Sequence, residues 1–295
     1  MVTIEALKRK IKNSEDLLSV VQTMKALAMV SIRQYERAVE ALAEYNRTIE
    51  MGLHIVLHAE ETITVNPMAA PQEQVGAILF ATDQGLCGQF NERIAAYTMD
   101  QLNGMRIGQE ARALIAVGER GAGFIEEAGQ PVATRFHVPG SIAGITPLVH
   151  ELLLAIDEWR RERAVDRILL FHNRPLSSAT YKEQMTLLLP LDLAWLQRLQ
   201  RTAWPSRVLP TFTMQPDLLF SALIRQHLFV TLYRACAESL AAENASRLAA
   251  MQNAEKNIEE RLVELNTRFH HQRQQSITAE LLDIVAGYEA VAGSW

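Results

Sequence analysis

Proline and glycine are almost missing from both ends of this 295-residue sequence. All ten prolines lie between Pro67 and Pro216, and eleven of the fourteen glycines lie between Gly76 and Gly144. Inside a helix, proline costs about 3 kcal/mol and glycine about 1 kcal/mol. The two ends are therefore candidates for long helices, and the middle must turn often. Cysteine is scarce. Cys87 and Cys236 are far apart, which excludes a disulfide scaffold and fits a reducing compartment. Aromatics make up only 6%, against 48% hydrophobic residues overall, so helices are favoured over a β-rich core and disorder is excluded. The net charge of −5 lacks the basic excess that nucleic acid demands. No run of 18 apolar residues occurs, so no transmembrane helix is expected. The first ten residues lack the apolar core of a secretory signal. These readings point to a soluble, cytoplasmic chain, with attachment to a membrane complex left open.

Catalytic signals are also thin. There is no Gly-Lys dipeptide, so the lysine of a phosphate loop is missing. Gly85-Leu86-Cys87-Gly88 follows a strand-like run, where a phosphate loop could sit, but two glycines read better as a tight turn. Gly118, Gly121 and Gly123 also read as a loop. Cys87 has no nearby basic group to activate it and reads as a small packed hydrophobe. His54 and His58 have i, i+4 metal-ligand spacing but no third ligand, so they read as solvated helix residues. His270 and His271, and the cluster Lys8, Arg9, Lys10 and Lys12, read as surface, the cluster with an acidic partner as its functional alternative. No cofactor or metal is implied.

A strong periodicity fills the N-terminal segment. Spacings of three and four alternate from Ile4 through Leu7, Ile11, Ser14 and onward to Leu53 and Val56. Thirteen of these sixteen positions are apolar or aromatic. A 3.5-residue period sustained over seven heptads predicts a left-handed coiled coil, roughly 80 Å long at about 1.5 Å per residue. From Asp217 a second seam includes Leu248, Met251, Ile258, Leu262, Leu265 and Phe269, then softens to Gln272, Ser276 and Ala279. Gly287 is placed to end this helix. Matching lengths favour antiparallel pairing within one chain over self-association across a homodimer.

The middle alternates strand-like and helix-like stretches. Strands are expected at 75–81, 112–118, 131–138, 167–172 and 185–189, and helices at 92–102, 118–128 and 146–163. That alternation predicts an α/β layer with a largely parallel sheet. The expected organisation is a helix over 1–66, an α/β domain over 67–210, and a helix over 211–295 pairing with the first. The fold class is thus α/β plus a long antiparallel coiled coil made by the N- and C-terminal helices.

Four stretches go beyond pattern. Thr82-Asp83-Gln84-Gly85-Leu86-Cys87-Gly88-Gln89-Phe90-Asn91 resembles the Ser-Asp-Arg-Gly-Leu-Cys-Gly-Gly-Leu-Asn segment of F-type ATP synthase gamma subunits. Residues 277–287, Ile-Thr-Ala-Glu-Leu-Leu-Asp-Ile-Val-Ala-Gly, are similar to that family's C-terminal signature, and 243–247 and 250–257 to the stretch leading into it. Thr23-Met24-Lys25 with Arg33 looks like the family's segment on the first helix. Gln84 in place of arginine, Gln89-Phe90 in place of Gly-Leu, and Tyr288 where a small residue is usual mark a divergent branch.

The resemblance implies a non-catalytic central shaft that couples transmembrane ion flow to the beta-subunit catalytic sites. Its implied partners are a ring of three alpha and three beta subunits, an epsilon subunit and the membrane rotor c-ring. Neither nucleic acid nor a membrane span is implied. The implied location is peripheral, on the cytoplasmic face of a bacterial inner membrane. By motif position, Met24, Lys25, Arg33, Arg273, Gln274, Thr278 and Glu280 would face the ring. Asp83, Gly85, Leu86, Cys87, Gly88 and Asn91 carry the internal motif. Read from residues alone, a coiled-coil dimer carrying a nucleotide-binding or regulatory α/β domain stays open as an alternative.

Overall fold

A computed structural model describes residues 3–59, 74–105, 107–177, 180–202, 204, 206, 208 and 210–292. Two helices frame the chain, α1 over Ile4–Ala59 and α6 over Pro216–Ala292. All sixteen seam positions of α1 are buried or half-buried. The heptad reading therefore holds from end to end of that helix, and its expected continuation over 60–66 lies outside the described residues. Proline at the first position of α6 loses no helical bond, because that N–H has no partner in the helix anyway. Gly287 does not end α6, which runs on to Ala292. A glycine permits a stop, but it costs only about 1 kcal/mol when the helix continues.

The chain divides into two compact units. One comprises residues 1–27 and 248–295, where α1 and α6 pair. Gln22 and Lys25 meet Glu255, and the Lys8 ammonium lies over the Phe269 ring. Lower numbers on α1 meet higher numbers on α6, so the pair is antiparallel. Met251 and Leu265 are its buried α6 positions.

The other unit spans 28–247. It holds β1 (Val75–Phe80), α2 (Phe90–Gly104), β2 (Arg112–Val117), α3 (Glu119–Glu127), β3 (Thr134–Phe136), α4 (Ile142–Glu162), β4 (Arg167–Ser177), β5 (Thr180–Leu189) and α5 (Leu193–Arg201). The sheet order is β3-β2-β1-β4-β5. The first four strands are parallel, and β5 runs antiparallel at the edge. Every residue of β1 is buried, as a central parallel strand covered on both faces requires. One face packs on α4 and on the inner residues of α1 and α6, among them Tyr35, Leu152, Leu232 and Ala241. The opposite face packs on α2 and α3 through Ile94, Leu102 and Ile125. Here too α1 and α6 run antiparallel, with the Tyr45 hydroxyl donating to Gln226 at 2.9 Å.

Several boundaries depart from expectation. β3 is only three residues long. β4 and β5 run past the expected segments: beyond Phe171, β4 leaves β1 and continues as a two-stranded ribbon with β5. Pro175 is tolerated there, next to a register shift. α4 begins four residues before Thr146 and carries Pro147 inside its early turns. The short α5, capped by Asp192 at 2.9 Å, was not anticipated because nine residues carry little periodicity. His54 is not a solvated residue. It is buried, with its Nε2 2.7 Å from the Thr202 carbonyl, because α5 and the segment after it cover that turn of α1.

Candidate functional site

The motif 82–91 forms the turn that leaves the carboxyl end of β1 and enters α2. Thr82, Gln84 and Asn91 are tied to one another within it. The Asn91 carboxamide accepts from the Thr82 backbone N–H at 3.0 Å and donates to the Thr82 hydroxyl at 2.8 Å. That hydroxyl donates to the Gln84 carbonyl at 2.6 Å. Asp83 reaches away from the turn. Its carboxylate accepts from the Glu119 N–H at 3.0 Å and the Val138 N–H at 2.9 Å. One acid thus ties β1 to the ends of β2 and β3. Gly118, at φ +110, and Gly121 let this closure happen. A Cβ would fall 2.6 Å from the Thr82 nitrogen at Gly118 and 2.2 Å from the Ala81 Cβ at Gly121, below any normal contact.

Strand order reverses between β1 and β4, and in open α/β sheets a ligand crevice lies at that point. Here the chain fills it. Cys87, Phe90 and Ala242 are fully buried against one another, and Ser246 of α6 donates to the Cys87 carbonyl at 2.7 Å. Burial, with Glu243 nearby, pushes the Cys87 thiol up, so it remains a protonated packing group. The Gly85–Gly88 segment is a turn, with Leu86 and Gly88 both in the left-handed region.

Beside the turn, Glu243 and Arg247 form a buried i, i+4 ion pair at 2.5 Å. Burial raises the Glu243 carboxyl above the usual range, and Arg247 only partly offsets it. Sequence reading placed these two residues in a family-like stretch without a role. Their i, i+4 spacing was the available signal, but burial was not visible.

The residues expected to face a partner fall in separate places. Met24 is half-buried, and Lys25 is held by Glu255 at 2.5 Å. Arg33 is 77% exposed and only weakly tied to Glu36. Arg273, Gln274, Thr278 and Glu280 are all exposed on α6. Thr278 donates to the Gln274 carbonyl at 2.9 Å, within its own helix. Glu255 and Gln274 sit roughly 28 Å apart along one helix at about 1.5 Å per residue, so Lys25 and the α6 band are not one patch.

Sequence reading missed the apolar stripe on the last turns of α6. Ile277, Leu281, Ile284, Val285 and Tyr288 are 47–75% exposed. Their spacing of i, i+4, i+7, i+8 and i+11 is a helical stripe. It could have been found once the heptad seam was seen to stop near Ser276. In the register that seats Lys8 on Phe269, α1 has no further described residues to cover it.

Among the described residues, no helix is long and apolar enough to cross a membrane, and no cluster of three or more acidic, His or Cys side chains could hold a metal.

Comparison with known proteins follows the same outline. The chain is 28% identical to the ATP synthase gamma chain of Chlorobaculum tepidum, covering 99% of both chains. It is 29% identical to the corresponding chain of Anaeromyxobacter dehalogenans, covering 92% of this chain and 94% of that one. Its fold matches a chain in the OSCP/F1/c-ring structure of Euglena gracilis mitochondrial ATP synthase with a TM-score of 0.65 at 18% identity, covering 98% and 95%. The family model described as ATP synthase matches residues 3–291. The chain belongs to the ATP synthase family, among its gamma chains.

Proposed function

We propose that this chain is the central rotor shaft of a rotary F-type ATP synthase. It is a non-catalytic subunit, and it couples ion flow at a membrane c-ring to conformational change at beta-subunit catalytic sites. The observation that carries the reading is the match to gamma chains over essentially the whole length. The physics suits it. A shaft needs stiffness, which paired helices supply. It needs no reactive group, and the one motif cysteine is buried and protonated. One chain inside a threefold ring is asymmetric and biases each catalytic site differently.

The partners in this reading are three alpha and three beta subunits, an epsilon subunit and the c-ring. The complex is peripheral to the membrane, on the cytoplasmic face of a bacterial inner membrane. Segments 1–66 and 211–295 act as the shaft, and 67–210 as its globular part. Met24, Lys25, Arg33, Arg273, Gln274, Thr278 and Glu280 face the alpha/beta ring. In support, Arg33 and the four α6 residues are exposed, and the α6 stripe is uncovered among the described residues.

The test is purification of the tagged chain from its own cells. Alpha, beta and epsilon should copurify at about 3:3:1 per copy of this chain, with ATPase activity. A lone homodimer that binds nucleotide would overturn the reading and favour the dimeric regulatory alternative. In the purified complex, replacing both Gln274 and Thr278 with alanine should lower ion-coupled ATP synthesis by about fivefold or more while the helix content is unchanged. Normal coupling in that double variant would remove those residues from the contact band.

A further inference from the structure

An open cavity of about 240 Å³ lies within the 28–247 unit, beside the Glu243–Arg247 pair. Three elements wall it: α1 through Ser31 and Tyr35, the β1–α2 turn through Asp83 and Gln84, and α6 through Glu243 and Arg247. Two carboxylates border it against one guanidinium. His137, 3.5 Å from Asp83, has 85% of its side chain in solvent and lies outside the wall.

The one guanidinium is already engaged. Arg247 donates to one Glu243 oxygen at 2.5 Å and to the Asn244 carboxamide at 3.2 Å. The other Glu243 oxygen has no hydrogen-bond partner among the described residues, and neither has the Tyr35 hydroxyl. Both atoms keep accessible surface, although their residues are only 7% and 6% exposed. The cavity that both residues border supplies that opening. The Asp83 oxygens each accept from one backbone N–H and retain lone pairs for another donor. Burial lifts the Glu243 carboxyl, and the Asp83 charge lifts it further, against the pull of Arg247. The wall thus offers acceptors and negative charge in excess of its donors, at atoms that face open space.

A ligand that completes this wall carries positive charge and several donors. A metal ion needs oxygens closed around it at about 2.0–2.6 Å, and here it would also sit against the Arg247 guanidinium. An ammonium is a compact point charge with three donors. A guanidinium presents five N–H groups in one plane, so it serves acceptors arriving from three elements at once. We propose that this cavity binds a guanidinium group, either that of a small free molecule or that of an arginine side chain on a partner subunit. Its edges lie against Asp83 and the free oxygen of Glu243, and a further N–H reaches the Tyr35 hydroxyl.

The experiment is calorimetric titration of the full chain at constant ionic strength with N-methylguanidinium, methylammonium and calcium. Saturable binding of N-methylguanidinium, about tenfold or more tighter than methylammonium, is the expected result. Tyr35→Phe, which keeps the ring in the core, should weaken it by about fivefold. Gln84 is exposed at the rim of the cavity, so Gln84→Arg preserves the fold and brings a tethered guanidinium to the site. That variant should weaken binding of the added ligand by about tenfold or more. Repeating the titration on the assembled complex separates the sources, and this arm alone rests on the rotor reading. Binding that persists in the complex identifies a small molecule, and binding lost there identifies a partner's arginine. No saturable binding to the isolated chain, equal affinity for methylammonium, tighter binding of calcium, or unchanged affinity in Tyr35→Phe or Gln84→Arg would overturn the proposal.

Discussion

Leu86 sits at φ +63 and is 62% exposed. A left-handed conformation costs a branched residue about 1–2 kcal/mol, and the exposed side chain recovers little by burial. Leu86→Gly should therefore raise the stability of the isolated chain by about 0.5–1 kcal/mol, less than the full strain because glycine gains freedom when unfolded. Shift of the urea midpoint measures it. A fall in the midpoint would mean that the side chain is packed after all. The motif was legible as residue types in order, since the glycines announced a turn and Cys87 announced packing. The reach of Asp83 to the ends of β2 and β3 was not. Its partners lie 36 and 55 residues away in sequence and are backbone N–H groups, which any residue supplies.

Pairing of α1 with α6 is the dominant element-scale feature, and one charged tie within it gives a pH signature. Hydrogen bonds from Lys25 and Gln22 hold the Glu255 carboxyl below the usual range. A carboxyl depressed in the folded state stabilises it above the unfolded pKa, and that contribution is lost as pH falls through the depressed folded value. Acidification below about pH 4.5 should therefore loosen the 1–27/248–295 unit, and Glu255→Gln should lose this component of the pH dependence. Thermal melting of both proteins across that range tests it. Parallel pH profiles would show that the tie carries no stability. The seam itself was fully legible, because a period of 3.5 residues is a property of local order. Its softening over Gln272, Ser276 and Ala279 was legible too. The further run of α6 through Gly287 was not, since a glycine allows a helix end without requiring one.

For the whole molecule, the apolar stripe at the end of α6 is the surface most in need of cover. An exposed apolar row on a helix that continues past its partner is the signature of an interaction surface. Replacing Leu281 and Ile284 with serine should leave the melting temperature of the isolated chain within about 2 °C, because surface substitutions change stability little. The same pair of changes should weaken assembly with the alpha/beta ring, read as loss of copurified alpha and beta subunits. A large drop in melting temperature would instead show that the stripe is buried within the chain.

What the sequence by itself determined was set by short-range order. Two proline-free ends with a heptad stripe had to be long paired helices, and a middle of short apolar runs between turns had to be an α/β layer. The order and identity of residues in 82–91 and 277–287 were enough to place the family. Only the tertiary structure decided which faces meet. It buried His54 under α5, filled the crevice at the end of β1 with Cys87, Phe90 and Ala242, and paired Glu243 with Arg247 out of water. It also brought Tyr35, Asp83 and Glu243 to one cavity from three distant segments. Those outcomes depend on contacts between elements, and no local period or composition encodes which distant side chain will remove another from solvent.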